Sequence, residues 1–211
     1  MQLITTLALA STATALAIRT PATGTSTGFQ LVAKLTHHSH DLTPSVNGWT
    51  VASAHTGAGS AAAILTSDPT VARIFYENGT AAEVAAKKTT LITDGGTPPA
   101  PYGVLVPAQG SSGLIGINVG AGTFNTVVKT APGHPVVVNG LGQGTYLACN
   151  AEIPYYPGQT FVTLQYQYGT TGAVPGGCVA IDLVPQCAVL NTLPDPSYSS
   201  HEFAVAVKCY N

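Results

Sequence analysis

Charged side chains are scarce in this chain. Seven Lys and Arg and nine Asp and Glu make up 8% of its 211 residues and leave a formal net charge of −2. The one adjacent cation pair is Lys87-Lys88, so no basic face can be assembled for a polyanion, and neither nucleic acid nor a membrane surface is an expected partner. No pair of cysteines has the short spacing of a metal knuckle or redox motif. No HExxH and no nucleophile elbow is read from the chain, which removes the simplest hydrolase signatures. Beyond the N-terminus no long continuous apolar run occurs, so no membrane-spanning helix is expected there. No cofactor motif is read.

The N-terminus itself, MQLITTLALASTATALA, has no charged side chain, an apolar centre from Leu3 to Ala10, and small residues at Ala15 and Ala17. That is the layout of a secretory signal peptide, with cleavage expected after Ala17. The run is too short and too rich in threonine to serve as a retained anchor. Residues 18–28, rich in Thr, Pro, Gly and Ser, read as a flexible linker, and 29–211 as one domain.

Export agrees with the cysteines. Cys149, Cys178, Cys187 and Cys209 form an even set, which in an oxidising compartment implies two bridges and leaves three connectivities open. Cys149 with Cys178 and Cys187 with Cys209 is the expected pairing, because each pair brackets one contiguous segment. Asn78-Gly79-Thr80 is the single N-x-S/T acceptor and follows an expected strand, so Asn78 is the expected glycosylation site.

Strand signals recur along the whole chain. In FQLVAKLT, Phe29, Leu31, Ala33 and Leu35 fall on one face, as a half-buried strand requires. Similar runs lie at 49–55, 62–66, 72–78, 89–93, 103–107, 113–119, 126–130, 135–139, 145–149, 160–168, 178–184 and 202–210. Gly, Pro, Asn or Asp bound nearly all of them. Twenty-three glycines and fifteen prolines leave little room for helix. The exception is Thr80 to Lys88, where Thr80 and Glu83 have capping-box spacing. The pattern predicts an all-β fold, a single compact β-sandwich or barrel stapled by two disulfides. A β-trefoil is the alternative, since aromatic-led segments at Trp49, Tyr102 and Tyr146 echo one another at roughly the spacing of trefoil lobes.

Candidate chemistry is thin. In His37-His38-Ser39-His40-Asp41, imidazoles at alternate positions of an extended segment project to one side, and His37, His38 and His40 are the metal-ligating candidates, for zinc or copper, with Asp41 as an oxygen donor or supporting partner. His55, before two glycines, reads as a turn residue rather than a base. Tyrosines concentrate in the C-terminal third, and tyrosine faces stack on sugar rings. Val162, Leu164, Tyr166 and Tyr168 form the apolar set of their strand and point inward, which leaves the loop residues Tyr155 and Tyr156 as the carbohydrate-binding candidates. Cell-wall polysaccharide or a surface glycan is therefore the expected partner of a non-catalytic secreted protein. The alternative is a secreted hydrolase of wall polysaccharide, whose two carboxylates a sequence cannot place.

The runs NGWTVASAHTGAGSAAAILTS (47–67), ARIFYENGT (72–80) and GTYLAC through CVAIDLVP (144–185) resemble a group of small secreted proteins of filamentous fungi. That group carries a domain of unknown function behind a signal peptide, with a Gly-aromatic-Leu-x-Cys strand and a later cysteine before an aliphatic strand. Cys149 and Cys178 stand at those places, so the resemblance implies their pairing and an extracellular or wall setting. It implies no activity. The chain departs from the group at Asn150-Ala151-Glu152, where an Asp-Trp-type continuation is expected, and in its longer tail from Cys187 to Cys209.

Overall fold

The computed structural model describes residues 22–131, 134–139, 142–169 and 172–211. The expected signal peptide and cleavage site lie outside them. The elements are β1 (Thr23–Ser26), β2 (Gly28–Leu35), β3 (Thr50–Gly57), β4 (Ser60–Thr66), β5 (Ile74–Asn78), α1 (Ala81–Ala86), β6 (Thr90–Gly95), β7 (Ala100–Leu105), β8 (Gly113–Leu114) and β9 (Gly116–Val119). They continue as β10 (Thr126–Ala131), β11 (His134–Asn139), β12 (Gly144–Glu152), β13 (Thr160–Tyr168), β14 (Cys178–Ala188), β15 (Ala204–Val205) and β16 (Val207–Tyr210).

Nine strands close into a barrel in the order β2-β14-β12-β13-β4-β9-β7-β6-β5 and back to β2, and every ladder of the ring is antiparallel. Closure removes the open edges that a sheet of this length would otherwise present. The all-β expectation is realised as the barrel. Trp49, Tyr102 and Tyr146 precede or lie on β3, β7 and β12, which hold no three-fold places in the ring, so the trefoil alternative falls.

The alternation read in β2 is the barrel's inside-outside pattern: Phe29, Leu31, Ala33 and Leu35 are buried in one continuous core with Phe75, Leu91, Ile117, Leu164, Ile181 and Leu183. The hairpin β10–β11 forms a separate two-stranded sheet packed against this assembly. Thr126, Val127, Val136 and Val137 are among its buried residues.

Ring closure explains why one expected strand is two. In the run 113–119, β8 pairs with β13, whereas β9 pairs with β4 and β7. Ile115 lies between them: its N–H donates to Leu164 O at 3.0 Å and its carbonyl accepts from Ala63 N–H at 2.9 Å. The segment thus changes partners at one residue. The run 202–210 splits in the same way, β15 pairing with β5 and β16 with β1.

The second half of the expected linker is corrected, because Thr23–Ser26 is a strand paired residue by residue with β16. The short helix appears as read. Thr80 and Glu83 form a reciprocal capping box, and Lys87 in the left-handed region (φ 56°) ends α1 after six residues. Both disulfides take the expected partners, Cys149–Cys178 across β12 and β14, and Cys187–Cys209 across β14 and β16.

Candidate functional site

Tyr155 follows β12 in a turn closed by the Tyr156 N–H donating to Ile153 O at 2.7 Å. The residue is 53% exposed. The edge of His55, on β3, meets it at a centroid distance of 5.6 Å, and Tyr156 packs against it at 5.2 Å. Tyr156 in turn lies 5.2 Å from Phe161 and joins a small cluster around Ala54, Ala62 and Ile153. The two sequence candidates therefore differ. Tyr155 presents its ring to solvent, whereas Tyr156 holds it in place.

Beside Tyr155 runs an open groove of about 530 Å³, floored by Ala61, Ala62 and Gly116 and walled by Thr56, Ser60, Asn118, Leu114 and Pro154. Leu114, Gly116 and Asn118 also line a second groove of about 490 Å³ that continues toward Ser111 and Ser112. Asn118 Oδ1 accepts from Ala61 N–H at 3.1 Å, which fixes the amide plane. Its Nδ2 has no partner among the described residues and is left as a donor on the groove wall. Neither groove has an Asp or Glu among its lining residues. Sequence reasoning found Tyr155 but missed His55 as its ring partner, and missed Ser60 and Asn118. Asn118 sits between Ile117 and Val119 in a short alternating strand, which marks it as outward-facing, but only the ring order places that face beside Tyr155.

The histidine cluster is built differently from its expectation. Residues 37–40 form a hydrogen-bonded turn, with His40 N–H donating to His37 O at 3.1 Å, rather than an extended segment. His37, His38 and His40 are all exposed. His37 and His40 share a surface pocket with Thr36 and Cys178, and His38 is not among its lining residues. Asp41 is already engaged: its Oδ1 accepts from Leu42 N–H at 2.7 Å and Val46 N–H at 3.2 Å. Against a desolvation that pushes the other way, hydrogen bonds from Ser45, Val46 and Leu42 and the nearby His38 hold the Asp41 carboxyl below its ordinary range. Among the described residues no group of three or more His, Cys, Asp or Glu side chains has metal-holding geometry.

Gly24-Thr25-Ser26-Thr27-Gly28 does have the residue spacing of a nucleophile elbow, which the reading of the chain passes over. The structure places Ser26 at the end of β1 with its hydroxyl donating to Ala188 O at 2.9 Å, and a strand, not a helix, follows. The context an elbow needs is missing.

A second polar assembly joins β3, β5, β6 and the C-terminal segment. His201 Nε2 and Asp94 Oδ2 are 2.8 Å apart, the His201 ring lies edge-on to Tyr76 at 4.9 Å, and Arg73 bridges Ser53 Oγ and Asp94 O. Burial, then the Asp94 charge and hydrogen bond, push the Tyr76 phenol well above its ordinary value, so it stays neutral. These contacts fasten the tail to the barrel wall.

Residues 26–187 match the model of a domain of unknown function, DUF7907. The chain belongs to that family. The DUF7907 match runs from the end of β1 to within a residue of the end of β14, and so contains all nine strands of the closed ring, while β15 and β16 lie beyond it. The chain is also similar to "Antigenic protein SchS34" of Stachybotrys chartarum, with 40% identity over 199 residues that cover 90% of this chain and 89% of that protein. No solved structure matches.

Proposed function

We propose that this protein is a secreted, non-catalytic module that binds cell-wall polysaccharide or a surface glycan through the Tyr155 groove. One observation carries the reading: an exposed tyrosine, with His55 and Tyr156 packed against its ring, stands beside an open groove whose lining offers Ser and Asn groups and no carboxylate. A sugar ring presents C–H groups on its face and hydroxyls on its rim. Tyr155 suits the first and Asn118 Nδ2 and Ser60 the second. A hydrolase would need paired acids, and the lining of this groove supplies none. The two disulfides and the fungal antigenic relative fit an extracellular protein.

Retention on insoluble chitin and β-glucan tests the proposal. The wild type is retained on one of them, and Tyr155→Ala lowers affinity about tenfold, as loss of one stacked aromatic face would, without moving the melting temperature. Tyr156→Ala instead lowers stability by about 1–3 kcal/mol, because it removes packing against Phe161. No retention of the wild type on either polymer removes the carbohydrate reading. Release of reducing sugar would replace it with the hydrolase.

Maturation belongs to the same proposal. The secreted form begins at Ile18 and carries glycan on Asn78, which ends β5, is half-buried and pairs across the ladder with Ala204. Intact mass before and after deglycosylation reads both features. An unshifted mass contradicts the glycan, and a product starting at Met1 contradicts the cleavage.

A further inference from the structure

A cavity larger than the Tyr155 groove lies elsewhere in the molecule. It lies where the β10–β11 hairpin meets β12 and β14, holds about 710 Å³, and is lined on its apolar side by Val136, Val138, Ile181, Tyr146 and Tyr166. That volume is in the range of sites for small organic molecules. Its wall contains an anomaly. Tyr146 is 6% exposed, yet its hydroxyl has no hydrogen-bond partner among the described residues. A buried tyrosine hydroxyl ordinarily finds one, because leaving it unpaired costs stability. The neighbouring rings do find theirs: Tyr166 OH donates to Gly142 O at 3.0 Å and Tyr168 OH to Pro107 O at 2.8 Å. Tyr146 meets Tyr166 only edge to face, at 5.0 Å.

Tyr146 also lines a space inside the barrel among Leu31, Phe75, Leu91 and Ile115. That inner space is about 10 Å³, room for one water at most, so no organic molecule enters there. One water there would pair the hydroxyl; any larger partner must come from the mouth side, and in the ligand-free protein the hydroxyl is shut off from solvent. The partner's charge can also be argued. Among the described lining residues one cation, Lys129, and one anion, Asp182, which is itself engaged within the protein, balance each other. Burial, followed by the neighbouring Tyr166 and Tyr168, pushes the Tyr146 phenol far above its ordinary value, so the hydroxyl stays neutral and keeps its proton to donate.

We infer that this pocket binds an uncharged small molecule with an apolar ring or chain and one hydrogen-bonding oxygen, the apolar part lying on Val136, Val138, Ile181 and Tyr166 and the oxygen accepting from the Tyr146 hydroxyl. The site is separate from the Tyr155 groove and stands or falls independently of it.

Three probes that share a naphthalene ring test this by fluorescence titration: 2-naphthol, its near-isostere 2-methylnaphthalene, and the larger, anionic 2-naphthalenesulfonate. The wild type binds 2-naphthol about fivefold more tightly than 2-methylnaphthalene, the yield of one net hydrogen bond, and the sulfonate no more tightly than the methyl compound. Tyr146→Phe abolishes the preference for the hydroxyl while leaving the thermal midpoint of the ligand-free protein unchanged or raised, since the oxygen it removes had no partner. Gln143→Trp, at an exposed position on the rim, lowers binding of all three probes and supplies the decision should Tyr146→Phe fail to fold. Absence of 2-naphthol binding, a hydroxyl preference that survives Tyr146→Phe, or binding indifferent to Gln143→Trp would each overturn the inference.

Discussion

Cys149→Ala lowers the stability of the protein by about 3–4 kcal/mol, the loop-entropy value for a bridge that closes a segment of this size. The bond joins directly opposed residues of β12 and β14, Cys149 and Cys178, 29 residues apart in sequence. Between them lie the Tyr155 turn and all of β13, so the bridge restricts the unfolded freedom of the segment that carries the proposed glycan site. Cys149 itself is buried, and removing its sulfur adds a small packing loss. For a domain of this length the loss reads as a fall of about 10 °C in the thermal midpoint. The released Cys178 borders the surface pocket shared with His37 and His40 and becomes reactive toward a thiol reagent in the folded protein. Peptide mapping that finds Cys149 joined to Cys187 or Cys209 contradicts the account, as does a variant of unchanged midpoint.

Glu77→Ala is expected to cost about 2–4 kcal/mol, because it strands two donors at once. Glu77 is 7% exposed on β5. Its Oε1 accepts from the Thr89 hydroxyl at 2.7 Å and its Oε2 from the backbone N–H of Val128 at 2.9 Å. The second bond ties the β10–β11 hairpin to the barrel wall, and that hairpin supplies Val136 and Val138 to the mouth pocket. Chemical denaturation measures the cost. Hydrogen exchange locates it, with faster exchange at Val128 and along the hairpin before the ring strands are affected. A loss below 0.5 kcal/mol, the ordinary range of surface substitutions, would mean that Glu77 does not fasten the hairpin.

Where local pattern decides structure, the sequence was legible. The alternation of Phe29, Leu31, Ala33 and Leu35 is the inward face of β2, and Thr80 with Glu83 caps a helix because both partners lie three residues apart. Of the three cysteine connectivities left open, the one favoured because each bridge closes one contiguous segment is the one formed. Distant partners were not legible. Thr23–Ser26 looks like linker because TGTS has no apolar face, and it becomes a strand only by pairing with β16, far away in the chain. The expected end of β14 at Val184 rested on Pro185, which cannot donate to a ladder. The register nevertheless continues through Pro185 opposite Leu31 to Ala188 opposite Gly28, beyond the stretch that β12 pairs, and β16 joins β14 at Gln186.

The candidate site divides along the same line. Tyr155 could be chosen because the inward set on β13 left the loop aromatics as the exposed ones. His55, Ser60 and Asn118 join it only because β4 meets both β9 and β13 when the ring closes, and no local signal carries that information. The histidine cluster failed to assemble for a local reason, since a turn at 37–40 removes the alternation on which convergence of His38 and His40 depended. The unpaired hydroxyl of Tyr146 is likewise a property of the assembled barrel, invisible until its neighbours are known.

Residue-resolved titration with a soluble β-glucan hexasaccharide and a chitin hexasaccharide tests the central reading most directly. Amide and side-chain NMR shifts of the wild type are expected to move at His55, Ser60, Ala61, Leu114, Asn118 and Tyr155 with one of these ligands, and to stay fixed in Tyr155→Ala. Shifts confined to another face, or none with either oligosaccharide, would contradict the account.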